Sequence, residues 1–193
     1  MAKPPDLERV EVTSVEALRQ WFEAHHSQPD SIWLVTYKKS VPDKSVSIQA
    51  VLDEVLCFGW MDGRRMKLDD DRTMQLLSPR KTGHWSKTYK DRVAQLTQAG
   101  RMHESGLQAV AAAKANGLWD FMNDVDALIK PDDLIVALAA HPPAMAHYEA
   151  FPDSVKRDIL RWIKLAKQPA TRAKRIKQTA ELAAHNQRAS GTR

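Results

Sequence analysis

Apolar and polar positions along the chain change period several times, and each change marks an element. Val15, Leu18, Trp21, Phe22 and His25 recur at helical spacing after Thr13-Ser14-Val15-Glu16, a T-x-x-E capping box. Ile32 to Lys38 is dense in aromatic and β-branched residues and predicts a strand; Val10 to Val12 predicts a shorter one. Ser45 or Ser47 is placed to cap the next helix, whose apolar stripe is Ile48, Val51, Leu52, Val55 and Leu56 and which ends at Gly59. That stripe leaves Asp53 and Glu54 facing solvent. Gly59 to Gly63 leads into Arg64 to Leu68, which with Thr73 to Leu77 reads as two short strands around the acidic turn Asp69-Asp70-Asp71, followed by a basic loop from Ser78 to His84.

From Trp85 onward the period is helical. Ser86 caps a helix that stops at Gly100, and a second runs from about Ser105 to Gly117. Shorter helices follow at Pro131, at Met145 to Phe151, after Asp153 or Ser154, and from Pro169, with a frayed tail expected after Ala184. Strands come before helices, so the expected fold is α+β: a small, mainly antiparallel sheet with helices in the N-terminal half, then an all-helical C-terminal half. The expected division is an α+β domain over residues 1–100 and a helical region over 101–193 with a basic tail.

The 193 residues are 43% hydrophobic and 27% charged, which excludes disordered, collagenous and disulfide-scaffold classes. One cysteine, Cys57, permits no intrachain disulfide and fits a reducing cytoplasm. The longest apolar run, Leu134 to Ala140, is far too short to cross a bilayer, so no membrane insertion is expected; nor does the N-terminus carry a secretory h-region. The net charge of +5 is uneven: +1 over residues 1–100, −5 over 101–155 and +9 over 156–193. The basic C-terminal cluster, Lys156, Arg157, Arg161, Lys164, Lys167, Arg172, Lys174, Arg175 and Lys177, can face an anionic partner or nucleic acid. It can equally match the acidic stretch at 119–133.

Familiar catalytic signatures are missing. There is no G-x-G-x-x-G, Walker A or H-E-x-x-H, and a single cysteine rules out C-x-x-C zinc sites. Neither a metal nor a cofactor is therefore expected. Asp69-Asp70-Asp71 lacks the glycine and twelfth ligand of a calcium loop and reads as a solvated turn; Cys57, between Leu56 and Phe58, reads as core. The densest chemistry lies between Arg72 and Arg92, where basic residues alternate with Trp85 and Tyr89 and where Ser86 opens a helix whose N–H groups attract anions. The candidate ligand site joins Trp60 and Asp62, at a tight Gly-bounded turn, to Arg80, Lys81, Trp85, Ser86 and Lys87. Trp60 and Trp85 would be its apolar wall, and Arg80 and Lys87 its charge. In the competing reading Arg80 pairs with an acidic residue such as Asp62 and pins the loop.

At Leu56-Cys57-Phe58-Gly59-Trp60-Met61-Asp62-Gly63 the chain resembles the YdeI/OmpD-associated family, also labelled bacteriocin-protection proteins. The resemblance continues through Ser78-Pro79-Arg80-Lys81, Trp85-Ser86-Lys87, Gly100-Arg101-Met102, Gly106-Leu107, Pro131-Asp132-Asp133-Leu134 and the run from Ile163 to Ile176, covering about residues 30–183. Met61 stands where isoleucine is usual, Tyr89 near an expected asparagine, and Ala170 in place of an acidic residue. The resemblance implies a bacterial stress-protection role and brings no catalytic residue with it. The leading expectation is thus a non-enzymatic cytoplasmic protein that binds an anionic small molecule or protein partner. The alternatives are an enzyme acting on a phosphorylated or carboxylated small molecule, with Asp62 as acid or base, and a nucleic-acid-binding protein using the basic C-terminal helices.

Overall fold

The computed structural model describes residues 7–81 and 83–189. They form two compact units, one up to Asp120 and one from Phe121.

The first unit is built on four strands, β1 (Arg9–Glu11), β2 (Ile32–Tyr37), β3 (Trp60–Lys67) and β4 (Arg72–Pro79), in the order β1-β2-β4-β3. β3 and β4 form an antiparallel hairpin, and β4 pairs antiparallel with β2, Ile32 opposite Leu77 and Tyr37 opposite Arg72. β1 lies parallel to β2, Val10 opposite Leu34. The sheet is therefore mixed: two of its three pairings are antiparallel, and the edge pairing of β1 with β2 is parallel. The physical reason is the intervening helix α1 (Val15–His25): it carries the chain back across the sheet, so β2 re-enters in the direction of β1.

Ser14, not Thr13, caps α1, its hydroxyl accepting the Ala17 N–H at 3.1 Å. Ser47 caps α2 (Ile48–Cys57) in the same way. Both helices lie over the face of the sheet that carries Ile32, Leu34 and Leu77, closing a core with Leu18, Phe22, Val51, Val55 and Leu56. Ile48, expected in that stripe, is exposed. The opposite face of β2 is also buried, through Trp33 and Val35, which cluster with Met74. This accounts for the unbroken apolar run from Ile32 to Val35. Ser86 caps α3 (Lys87–Gln98), and α4 (Glu104–Ala115) packs against α2.

The second unit, in its described residues, is all helical: α5 (Asn123–Asp126), α6 (Asp132–Ala139), α7 (Ala144–Ala150), α8 (Asp153–Lys164) and α9 (Pro169–Ala184). Its core joins Leu134, Leu138, Tyr148, Ile159, Ile163, Ile176 and Ala180. The chain leaves the helix at Ala184 as expected, but Ala189 is buried against this core; residues 190–193 lie outside the described residues. Among the described residues no helix is long and apolar enough to cross a membrane.

Candidate functional site

Asp62 and Arg65 are three residues apart in β3, a spacing that puts side chains on opposite faces of a regular strand. Here a bulge between them places Asp62 opposite Leu77 and Arg65 opposite Gln75. Leu77 and Gln75 share the helix-covered face, so their two partners do as well. Asp62 is thus a strand residue rather than the closing residue of a glycine turn. Its carboxylate accepts from Gln75 Nε2 at 3.3 Å and, by a short hydrogen bond, from the phenol of Tyr89 on α3. Arg65 Nη2 donates to Gln75 Oε1 at 2.8 Å and completes the chain. Burial, helped by Asp62, raises the Tyr89 phenol well above its usual range, so it is a donor at any physiological pH.

Arg80 follows β4, its backbone N–H held by the Gly59 carbonyl at 3.2 Å. Its guanidinium lies over the Trp85 indole, 4.0 Å from the ring centroid, and 5.8 Å from the Tyr89 ring. Among the described residues no ion pair joins it to Asp62, against the competing sequence reading. Nε and Nη2 of Arg80 are buried with no hydrogen-bond partner among the described residues. Burial pulls the guanidinium below its ordinary pKa, opposed by Tyr89 and Asp62, yet an arginine stays charged. Arg80, Lys81 and Trp85 line a pocket of about 50 Å³ whose other side is α4 and the segment after it, through Ala109, Ala112, Asn116 and Leu118.

The residues expected at the site separate into those that converge here and those that do not. Arg80, Lys81 and Trp85 meet at the pocket, and Asp62 approaches through Tyr89. Trp60 belongs to the interior: it is buried against Phe22 and Trp21, and its indole N–H donates to the His26 carbonyl at 2.9 Å. Ser86 spends its hydroxyl on the Tyr89 N–H at 3.4 Å. Lys87 is exposed and pairs with Asp91 at 2.7 Å, one helical turn on. Gln75, Arg65 and Asn116 were missed. Gln75 had one available signal, a lone amide in an apolar strand segment; Asn116 had none, because its place depends on how α4 packs.

Two family models match the chain, one over residues 10–109, a span that takes in Asp62, Arg80, Trp85 and Tyr89, and another over residues 127–186. The first covers more than half of the sequence and is described as a domain of unknown function (DUF8412). The chain belongs to the DUF8412 family. The second is described as bacteriocin-protection, YdeI or OmpD-associated, and it bears out the family resemblance over the helical unit. The motif-rich segment from Leu56 to Lys87, on which that resemblance also rested, falls in the DUF8412 match instead. Neither curated proteins nor solved structures yielded a match.

Two further charge clusters bear on the site. In the DUF8412 segment, Asp53 and Glu54 are buried rather than solvent-facing, because three arginines converge on them. Arg92 grips Asp53 with Nε and Nη2, Arg19 reaches Glu54 at 3.1 Å, and Arg101 bonds Glu54 while lying 3.5 Å from Asp53. In the helical unit Lys164 pairs with Asp124 at 2.5 Å, and Arg172 holds Asp133 by two hydrogen bonds of 2.8 and 2.9 Å. Part of the basic C-terminus therefore matches the acidic stretch. At the Asp69-Asp70-Asp71 turn, the Lys38 ammonium donates to the backbone carbonyls of Asp69 and Asp70 at 2.9 and 2.6 Å. Among the described residues no group of three or more His, Cys, Asp or Glu side chains is arranged to hold a metal.

Proposed function

We propose that the protein binds a small oxyanion, such as a phosphate, sulfate or carboxylate group, in the pocket beside Arg80, and that this binding underlies a protective role in the cytoplasm. The observation that carries the reading is the half-buried Arg80 guanidinium, two of whose nitrogens are buried without a hydrogen-bond partner among the described residues. Leaving such donors unmet costs free energy that an oxyanion recovers through charge-assisted hydrogen bonds. The stacked indole of Trp85 holds the guanidinium plane in place, and Lys81 at the mouth adds a second positive charge. The pocket volume suits one phosphate-sized group, so a larger ligand would enter by its anionic end. The family description supplies the protective association; it names no ligand.

The test is a thermal-shift titration of the full chain with inorganic phosphate, sulfate and acetate, repeated on Arg80→Ala. Ligands that bind the native state raise Tm. The expected result is a saturable rise for at least one anion, with an affinity loss of ~1.5–3 kcal/mol in Arg80→Ala, the range for hydrogen bonds to a charged group. No anion-dependent rise, or a rise untouched by the substitution, refutes the reading.

A second reading, an enzyme acting on a phosphorylated or carboxylated small molecule, draws on Asp62, which bonds Tyr89 and Gln75 instead of its own turn. In that reading Tyr89 donates to a group held by Arg80, and Asp62 orients it. Turnover of a phosphate-ester or acyl-ester panel that is abolished in Tyr89→Phe, with phosphate affinity retained, would support it over simple binding.

A further inference from the structure

The helical unit carries a groove that the Arg80 reading does not use. α6 and α9 line a cavity of about 410 Å³. Its floor is apolar and small: Ala137 from α6, and Pro169, Ala173 and Ile176 from α9. The residues recur at helical spacing on both elements, so the groove runs along the helices. A cavity of this size falls in the range of small-molecule sites, which pair an apolar lining with a few placed polar groups.

The polar groups at the rim are Arg172, Lys177, His141 and Asp133. Asp133, the only carboxylate among them, is neutralised by Arg172 through Nε and Nη2. Nη1 of Arg172 has no hydrogen bond among the described residues, so one end of the guanidinium is available beside the groove. Lys177 is exposed, and its one ion pair among the described residues is a loose 3.8 Å contact to Glu181. His141 turns Nδ1 to the Ala137 carbonyl at 2.9 Å. Arg172 also lines a second, smaller cavity of about 140 Å³ with Pro131 and Lys164. The lining thus holds one surplus positive charge over an apolar bed, a pattern complementary to an apolar chain ending in a carboxylate.

We infer that this groove binds an amphipathic carboxylate of the fatty-acid class, its hydrocarbon along Ala137, Ala173 and Ile176 and its carboxylate at Arg172 Nη1 and Lys177. A cationic or uncharged amphiphile of the same length leaves the surplus charge unmet.

The experiment titrates the full chain with dodecanoate below its micelle concentration, by calorimetry, with dodecanol and dodecyltrimethylammonium as controls. Saturable binding of dodecanoate at about one equivalent is expected, at least tenfold tighter than either control. Ala173→Phe fills the groove from an exposed position, and circular dichroism checks that its fold is kept; it should lower dodecanoate affinity about tenfold or more. Lys177→Glu should lower it several-fold. Arg80→Ala should leave it unchanged, which separates this site from the one beside Trp85. Equal affinity for all three amphiphiles, binding that survives Ala173→Phe, or no binding of dodecanoate overturns the proposal. Capture of an acidic helical peptide in place of dodecanoate would also overturn it and assign the groove to a protein partner.

Discussion

At Glu54 a carboxylate only 1% exposed sits between Arg19 and Arg101, each about a third exposed. The asymmetry decides what mutations do. Removing either arginine leaves the other to meet the buried charge, whereas removing both strands it. Arg19→Ala and Arg101→Ala should each be mild, and the double variant more destabilising than their sum by about 1–3 kcal/mol, read from a urea double-mutant cycle. Asp53 responds to pH. Burial, the largest single influence, pushes its pKa up, but the hydrogen bonds of Arg92 and Gln49 and the charges of Arg92 and Arg101 together outweigh it and hold the carboxyl below its ordinary value. A lowered native pKa means that this stability is complete above the unfolded value, near pH 4, and is lost as pH falls through the native one. Asp53→Asn should flatten the acid limb of the stability curve while lowering its neutral plateau. Cys57 behaves oppositely: burial pushes its thiol up to about 11, so a thiol reagent at pH 7.5 should modify it only at the rate of unfolding. The aromatic and basic residues between Arg80 and Tyr89 were legible as a cluster from sequence. That Trp60 leaves it while Gln75 and Asn116 join was not, since both follow from packing direction rather than residue type.

Close approach between elements rests on two glycines. A Cβ on Gly106 of α4 would lie 2.1 Å from the Cys57 carbonyl oxygen, at the end of α2. Gly59, at φ +71°, lies under the same helix, where a Cβ would come within 2.9 Å of the Ser105 carbonyl oxygen. These contacts seat His103 as well, whose N–H donates to the Cys57 carbonyl at 3.0 Å. Gly106→Ala should therefore cost about 2–3 kcal/mol of unfolding free energy, the scale of overpacking against rigid backbone, although alanine is the better helix former. A denaturant midpoint near wild type would show that α4 can shift. The helix cap Ser86 and the stop at Gly59 were readable because capping is local chemistry, whereas the α2 cap stayed open between Ser45 and Ser47 until the structure selected Ser47. The cap of α1 moved by one residue, since Thr13 and Ser14 are equally suited and only the backbone path selects between them. β1 was visible as a strand, but no local pattern specifies its partner or direction.

Over the whole molecule the surplus of positive charge belongs to the residues after Asp153, and the structure engages part of it internally, through Lys164 with Asp124 and Arg172 with Asp133. Lys167 and Lys174 stay exposed with no ion pair among the described residues. Nucleic-acid binding through α8 and α9 should accordingly be weak: duplex DNA mobility should be unchanged at 200 mM salt, with at most a slight shift at 50 mM, since few phosphates can be neutralised. A firm complex at 200 mM salt would restore the nucleic-acid reading. By itself the sequence determined most element types and several caps, that all strands lie before the C-terminal helices, and that aromatic and basic residues cluster around Arg80 and Trp85. These are set by periodicity, capping and composition over a few neighbouring residues. Only the tertiary structure decided the parallel edge strand, the burial of Asp53 and Glu54, the bulge that turns Asp62 and Arg65 to one face, and the groove between α6 and α9. Each depends on residues dozens of positions apart meeting in space, where charge pairing and steric fit outweigh the preferences of any single segment.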